Sequence, residues 1–531
     1  MNNRFEQNLI YFGAKKRIAL FREIRRGLEK ESLRVDSSGM LAQTPHPKAL
    51  GASLTHPFIT TDHSEALLEF VTSPTSSVQD LFQQLTELHA FTYSILQDEV
   101  LFAASMPGHL PPEQQIPIAE FGRSNVGRLK YIYRKGLKNR YGSVMQTIAG
   151  IHYNFSLSQS FFEEYYQKFY PSPSPMEAPL LKDFISEQYL AMIRNGLRWG
   201  WLFALLFGAT PAIDQRFFNP KTKIAKFLKP LNDDTFYGPD ATSLRLSEIG
   251  YHNKDEQSRL ISYHSFPDFL QSVHYAVHTP DLNFSKIGIK IGDEYQQLSD
   301  SFLQTEDEHY AMIRPKRVSV AGERTVSAMM RDGIEYLEVR ALDINPFLPL
   351  GIEPTTVYFL DVFLITCLFL ESPPLDKQER QNIQENISRI VIEGRNPNLQ
   401  IINNTGKEQN ALLTAHHFLN LMLKTAELLD KAYGGENFGS ACRETQDKLY
   451  HLDNLPSAKV VQALKEKTWS YVDFALYWSL QHKDYFRHLH LPQKLVIYYQ
   501  NLAKASFEKQ AEIERTDLTP FPEFLAKFLS P

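Results

Sequence analysis

Four stretches of the chain alternate apolar and polar residues with a period of two, and each carries ionisable side chains on its polar face. The first, Ile24 to Val35, sets Glu29 and Glu31 two positions apart. On a strand, residues i and i+2 share a face, whereas on a helix they diverge. In the second, Glu65 to Val71, Ala66, Leu68 and Phe70 alternate with Glu65, Leu67 and Glu69. From Gly150 to Leu157 the alternation is cleanest: Ile151, Tyr153, Phe155 and Leu157 face one way, His152, Asn154 and Ser156 the other. The fourth, Gly333 to Asp343, sets Leu337, Val339 and Ala341 against Glu338 and Arg340. One apolar and one polar face is how an antiparallel sheet covers a core and still meets a wet cleft.

Helical spacing accounts for much of the remainder. Residues 1–23 read as helix, and Val78, Leu81, Leu85, Leu88 and Phe91 recur every three or four positions within 76–97. Further helices are expected at 159–169 and near 183–208, with short strands at 287–291 and 314–320. A turn at 36–39, a proline-rich loop at 105–117 and a rigid spacer at 170–175 punctuate them. From about 355 the pattern is mostly helical to the end, with helices at 355–372, 375–393, 408–432, 438–451, 456–465 and 491–515. The expected fold is α+β: a mainly antiparallel sheet core in 1–350 with helical insertions (including about 159–240), and a mostly helical region, 351–531, packed on it.

Composition narrows the class. The 531 residues exceed one simple core, and 43% hydrophobic with 22% charged residues is ordinary for a soluble globular protein. A net charge of −5 argues against a nucleic-acid binder. Cys367 and Cys442 give neither a disulfide framework nor a cysteine-rich metal site, which fits a reducing compartment. The apolar runs Trp199–Ile213 and Val357–Leu370 fall short of the roughly 20 residues a membrane span needs, so both read as buried helices. The opening residues lack the pattern of a secretory signal. A cytoplasmic protein is expected.

The chemistry follows from bringing the four polar faces together. Glu29, Glu31, Glu69 and Glu338 with His152 and Arg340, and Asp62 close by, would crowd too much negative charge into one concavity unless two or more divalent cations neutralised it. Oxygen-rich ligation suits Mg²⁺ or Mn²⁺. Neither a G-x-x-x-x-G-K-[ST] loop nor a G-x-G-x-x-G turn occurs, so any nucleotide is bound on another scaffold. The most basic stretch, residues 122–140, interleaves basic and aromatic residues; a pocket for an anionic substrate and a solvated basic helix both remain open.

Several ordered segments carry a resemblance: Arg26-Gly-Leu-Glu-Lys-Glu-Ser-Leu-Arg34, Thr60-Thr-Asp62 with Glu65-Ala-Leu-Leu-Glu69, Leu137-Lys-Asn-Arg-Tyr-Gly142, His152-Tyr-Asn-Phe155, Ala241-Thr-Ser-Leu-Arg-Leu246, Ile313-Arg-Pro-Lys-Arg317 and Glu335-Tyr-Leu-Glu-Val-Arg340 through Pro346. Together they resemble glutamate–cysteine ligases of the gammaproteobacterial type, from about residue 20 to 350 and more thinly beyond. The resemblance implies a glutamine-synthetase-like fold whose curved antiparallel sheet forms a funnel. It also implies ligation of the L-glutamate γ-carboxyl to the L-cysteine amine, with ATP as co-substrate and γ-glutamyl phosphate as intermediate, the first step of glutathione synthesis. Carried onto matching positions, Glu29, Glu31, Asp62, Glu69, His152 and Glu338 would hold the metals. Arg245 and Arg340, with Glu338, would act on glutamate or the transferring phosphoryl group. Tyr133, Leu137, Gln146, Tyr251 and Tyr310 would line the cysteine site, along with His63, which replaces a phenylalanine of the family. His63 motivates a second reading, the same chemistry with another amine acceptor; a non-catalytic binding protein is disfavoured because the acids and both arginines are present. The resemblance further implies feedback by glutathione, and the expected assembly is a monomer without nucleic acid or membrane partners. No C-terminal ATP-grasp extension is visible.

Overall fold

The computed structural model describes residues 3–171, 178–250, 261–320 and 322–530. Strand β1 (Arg25–Val35) runs through the middle of the main sheet, joined in chain order by β2 (Ile59–Thr61), β3 (Leu67–Val71), β4 (Val100–Leu101) and β5 (Ile151–Ser156). Three strands, β6 (Ala212–Asp214), β7 (Lys229–Asn232) and β8 (Thr235–Tyr237), form a separate small sheet, and β9 (Lys290–Ile291) pairs with β10 (Glu294–Tyr295). Strands β11 (Ile313–Lys316) and β12 (Tyr336–Leu342) then return to the main sheet. Its order is β11-β12-β5-β1-β3-β2, with β4 on the end of β1 and every pairing antiparallel. The four alternating stretches of the sequence are therefore consecutive neighbours, β12-β5-β1-β3.

Register divides the sheet into two unlike faces. One is a buried apolar row in which Ile313 lies opposite Val339, Val339 opposite Tyr153, and Tyr153 opposite Leu28. Against this side pack the helices Val78–Ile95, Leu181–Trp199 and Trp201–Phe207, with the almost wholly buried helix Pro354–Phe369 beyond. Two cations are buried here as well. Arg26 Nε lies 2.7 Å from Asp361 Oδ2, and Asp361 Oδ1 accepts the Tyr153 hydroxyl at 2.5 Å. Lys30 Nζ stands 2.8 Å from His89 Nε2, and burial pulls the Lys30 ammonium down to about 7.

The C-terminal helices fold back to the other side. Helix Gln493–Thr516 reaches the loop after β1, where the Ala52 N–H donates to Ser506 Oγ at 2.8 Å. Helix Phe521–Leu529 lies on helix Asn125–Tyr141, where Phe521 and Leu525 join Leu129, Ile132 and Leu298 in a small apolar cluster.

Elements depart from expectation mainly where they are short. Of 287–291 only β9 is strand, and the strand expected at 314–320 ends at Lys316. The helix expected at 408–432 begins at Ala411, because Glu408–Asn410 instead pairs with Gln400–Ile402. Helices Tyr471–His488 and Phe521–Leu529 were not resolved individually in the pattern. Most of the 170–175 spacer lies outside the described residues. Among those described, no helix is long and apolar enough to cross a membrane.

Candidate functional site

The polar faces of β1, β3, β5 and β12 line one cavity of about 990 Å³. Register sets the pairs: Glu31 lies opposite Glu69, Glu29 opposite His152, and Glu338 between Asn154 on β5 and Arg314 on β11. His152 is the hub, with Nδ1 3.1 Å from Glu29 Oε2 and 3.9 Å from Glu338 Oε1, and Nε2 3.9 Å from Glu31 Oε1. Asn154 Nδ2 donates to Glu29 Oε1 at 2.8 Å, and the Gly150 N–H donates to Glu31 Oε2 at 2.6 Å. One ligand atom each from Glu29, His152 and Glu338 falls within 4.8 Å of the others.

Electrostatics across the cavity is graded. At the β11–β12 end, burial works against the ionised Glu338, but Lys316, Arg340 and Arg314 hold its carboxyl well below the usual range; Arg340 Nη1 donates to it at 3.0 Å. Glu29 is likewise desolvated, yet the His152 hydrogen bond carries it below normal. Toward β3 the balance reverses. Burial raises Glu31, and burial reinforced by Glu29, Asp62 and Glu31 drives Glu69 far up. Carboxylates crowded beyond the reach of enough cations are a donor set that fits hard divalent ions.

The second wall is helical. Ser124 caps helix Asn125–Tyr141 by accepting the Gly127 N–H, and Lys130, Tyr133, Arg134, Leu137 and Tyr141 recur along its cavity side. Arg134 ties this wall to the sheet, its Nη2 lying 3.3 Å from Asp62 Oδ1. Ile513, Asp517 and Phe524 from the C-terminal helices complete the lining.

Eleven of the residues singled out in the sequence line this cavity: Glu29, Glu31, Asp62, Glu69, Tyr133, Leu137, Gln146, His152, Tyr310, Glu338 and Arg340. Arg245 is not among them. It is fully buried behind the wall, its Nη2 donating to the Arg340 carbonyl at 3.0 Å and its Nη1 3.8 Å from Asp343 Oδ1. Its guanidinium lies against Gly150, where a Cβ would come within 2.1 Å of Nη2.

His63 is 1% exposed and, unlike its neighbour Asp62, is not among the residues lining the cavity. Burial lowers its imidazole to about 3. Tyr251 lies outside the described residues. Sequence reasoning overlooked Lys130, Arg134, Asp307, Arg314 and Lys316 as lining residues. Alternation through Arg314 and Lys316 on β11 was the available signal for the last two.

Comparison with known proteins gives the family. The family described as glutamate-cysteine ligase matches residues 9–390. The chain is 42% identical to a glutamate–cysteine ligase of Pseudomonas aeruginosa over 99% of this chain and 98% of that one. It is 41% identical to one of Alcanivorax borkumensis over 95% of each. Among solved structures, the glutamate–cysteine ligase of Francisella tularensis in complex with AMP superposes with a TM-score of 0.88 at 32% identity, covering 96% of this chain and 97% of that one.

Proposed function

The chain belongs to the glutamate–cysteine ligase family and catalyses the ATP-dependent joining of glutamate to cysteine, the first step of glutathione biosynthesis; we propose that it does so in the cavity between the main sheet and helix Asn125–Tyr141. The observation that carries the reading is the convergence of Glu29, Glu31, Asp62, Glu69, His152 and Glu338 from neighbouring strands and the loop after β2 onto one cavity.

A carboxylate is a poor electrophile, and phosphorylation of the glutamate γ-carboxyl by ATP supplies a leaving group that the cysteine amine displaces. Mg²⁺ or Mn²⁺ held by Glu29, Glu31, Asp62, Glu69, His152 and Glu338, as two or more ions, would supply charge neutralisation for the phosphates. The protein's own part is positional. Arg340, paired with Glu338, presents a guanidinium suited to a phosphate or carboxylate, with Arg314 and Lys316 beside it. Arg245 holds the Arg340 backbone and adds positive charge beside Glu31. Tyr133, Leu137, Gln146 and Tyr310 form the wall for cysteine.

The same reading places glutathione, which contains the γ-glutamylcysteine unit, as an inhibitor in this cavity. A monomer is supported by one chain supplying sheet wall, helical wall and C-terminal lining, and a cytoplasmic site by two free, buried cysteines. The test is ADP release from purified protein with Mg²⁺ and ATP, supplied with glutamate alone, glutamate plus cysteine, or glutamate plus other amines. Full turnover is expected only with cysteine, and Glu338→Gln should lower it at least about a hundredfold without loss of fold. Near-normal turnover by that variant at low Mg²⁺ would remove the metal assignment.

A further inference from the structure

Helix Asn125–Tyr141 carries the most basic stretch of the chain, and the fold pairs three of its six cations with acids. Arg140 Nη1 donates to Glu308 at 2.9 Å, Lys135 Nζ to Glu294 at 2.5 Å, and Arg134 pairs with Asp62. Arg128 stacks 4.4 Å above the Phe521 ring. Of the three cations of this helix left without such a pair among the described residues, Arg128, Lys130 and Lys138, Lys130 is the one on the cavity. It lines the catalytic cavity, its ammonium stands 5.1 Å from the Phe121 ring centroid, and among the described residues its side chain makes no hydrogen bond or ion pair. An ammonium that opens into a cavity without a hydrogen-bonded partner is placed to meet an anion that enters it.

Two features say which anion. The phosphate-compatible cations Arg314, Lys316 and Arg340 cluster around Glu338 at the β11–β12 end of the sheet. Lys130 stands on the opposite, helical wall, one turn from Tyr133 and two from Leu137, on the same helix face as these expected walls of an amino-acid pocket. Both amino-acid substrates bring an α-carboxylate, and neither uses it in the reaction. With the acids Glu69 and Asp62 sharing the cavity, a cation on this wall is needed to admit another negative group.

We infer that Lys130 is a specificity-determining residue that binds the α-carboxylate of an amino-acid substrate; this rests on the cavity being the ligase site. Its role is to distinguish an amino acid from the same molecule without its α-carboxylate.

The experiment compares Lys130→Met and Lys130→Arg with the unaltered protein, measuring kcat and KM for ATP, glutamate and cysteine, and for the decarboxylated analogues 4-aminobutyrate and cysteamine. Lys130→Met should raise KM for one amino acid by roughly tenfold or more, leave its decarboxylated analogue and ATP within about twofold, and so collapse discrimination between that pair. Lys130→Arg, which keeps the charge, should recover part of the discrimination. If glutamate moves, the cation holds the donor; if cysteine moves, the acceptor. A rise in KM for ATP alone, an equal rise for amino acid and analogue, or no change overturns the inference. A fall in kcat alone with unchanged KM values does the same, since it marks a structural role. Lys130→Gln replaces the Met variant if thermal melting shows that one unfolded. Glu338→Gln, run in parallel, separates the two ideas: if it stays active the cavity reading fails, and if it is inactive while Lys130→Met is unaffected only the Lys130 inference does.

Discussion

Both faces of the main sheet hold charge out of water, and they neutralise it differently. On the face packed against the helices, Arg26 meets Asp361, and Asp361 meets the Tyr153 hydroxyl, all within one hydrogen-bonded group. On the cavity face the cations gather at Glu338, while Glu31, Glu69 and Asp62 have less positive charge among them than their number demands. Arg26 is balanced within the fold, whereas Lys30 on the same face meets only His89 and burial pulls its ammonium down; on the proposed function, the acids left short of cations on the cavity face are matched by divalent ions. On the proposed function, that contrast separates the acid of the helix-packed face, Asp361, from those of the cavity face, where Asp62 keeps 40% of its side chain exposed.

The comparison breaks most visibly at Asp361. Asp361→Asn leaves Arg26 charged and buried without its counter-ion, and should cost about 3–5 kcal/mol of stability in urea denaturation, while folded enzyme keeps its activity at saturating Mg²⁺. A loss below about 1 kcal/mol would mean the pair is not the counterweight described.

Gly150→Ala comes next. Its Cβ would lie 2.1 Å from Arg245 Nη2, so the guanidinium must shift from the position in which it holds the Arg340 carbonyl. The expected cost is about 1–3 kcal/mol together with a fall in kcat; unchanged kinetics would place Arg245 outside the machinery.

The smallest effect is the most diagnostic. Glu69 has a folded pKa raised above its ordinary 4.5 by burial and by its acidic neighbours. Between 4.5 and the raised value the folded protein keeps a proton that the unfolded chain has released, so stability without divalent ions falls as pH rises across that window. Glu69→Gln should remove this slope and raise the melting temperature in chelator at pH 8, by roughly 1 kcal/mol equivalent, yet lose the gain that Mg²⁺ gives the unaltered protein. Identical pH profiles for the two proteins would contradict the unbalanced cavity face.

Much of this was legible in the sequence because period-two alternation is a local property. The strands containing Glu29/Glu31, Glu69, His152 and Glu338 were placed within a few residues, and their common polar face followed from parity alone. What alternation does not carry is which distant segment covers that face. Lys130 and Arg134 belonged to a helix whose charge pattern fitted a solvated surface equally well, and only its packing across the cavity chose between the two. The sequence likewise carries no sign that His63, next to the cavity-lining Asp62, is fully buried off that lining. Lys30, a charged residue on the apolar face, has no signal in periodicity either; its partner His89 lies on a different element, helix Val78–Ile95. Ile513 and Phe524, from the region beyond 350 expected to pack on the core, also line the cavity, a closure that is written in tertiary packing.

The surplus of oxygen donors on the cavity face has a practical consequence at the bench. Hard carboxylate oxygens take Ca²⁺, Mn²⁺ or Mg²⁺ with little discrimination beyond size and coordination number, so on the proposed metal assignment a preparation carries the history of its buffers in this cavity. Specific activities from different purifications become comparable only after chelation and defined re-addition of one ion, and a loss of activity on storage is to be checked first as ion exchange before it is ascribed to unfolding.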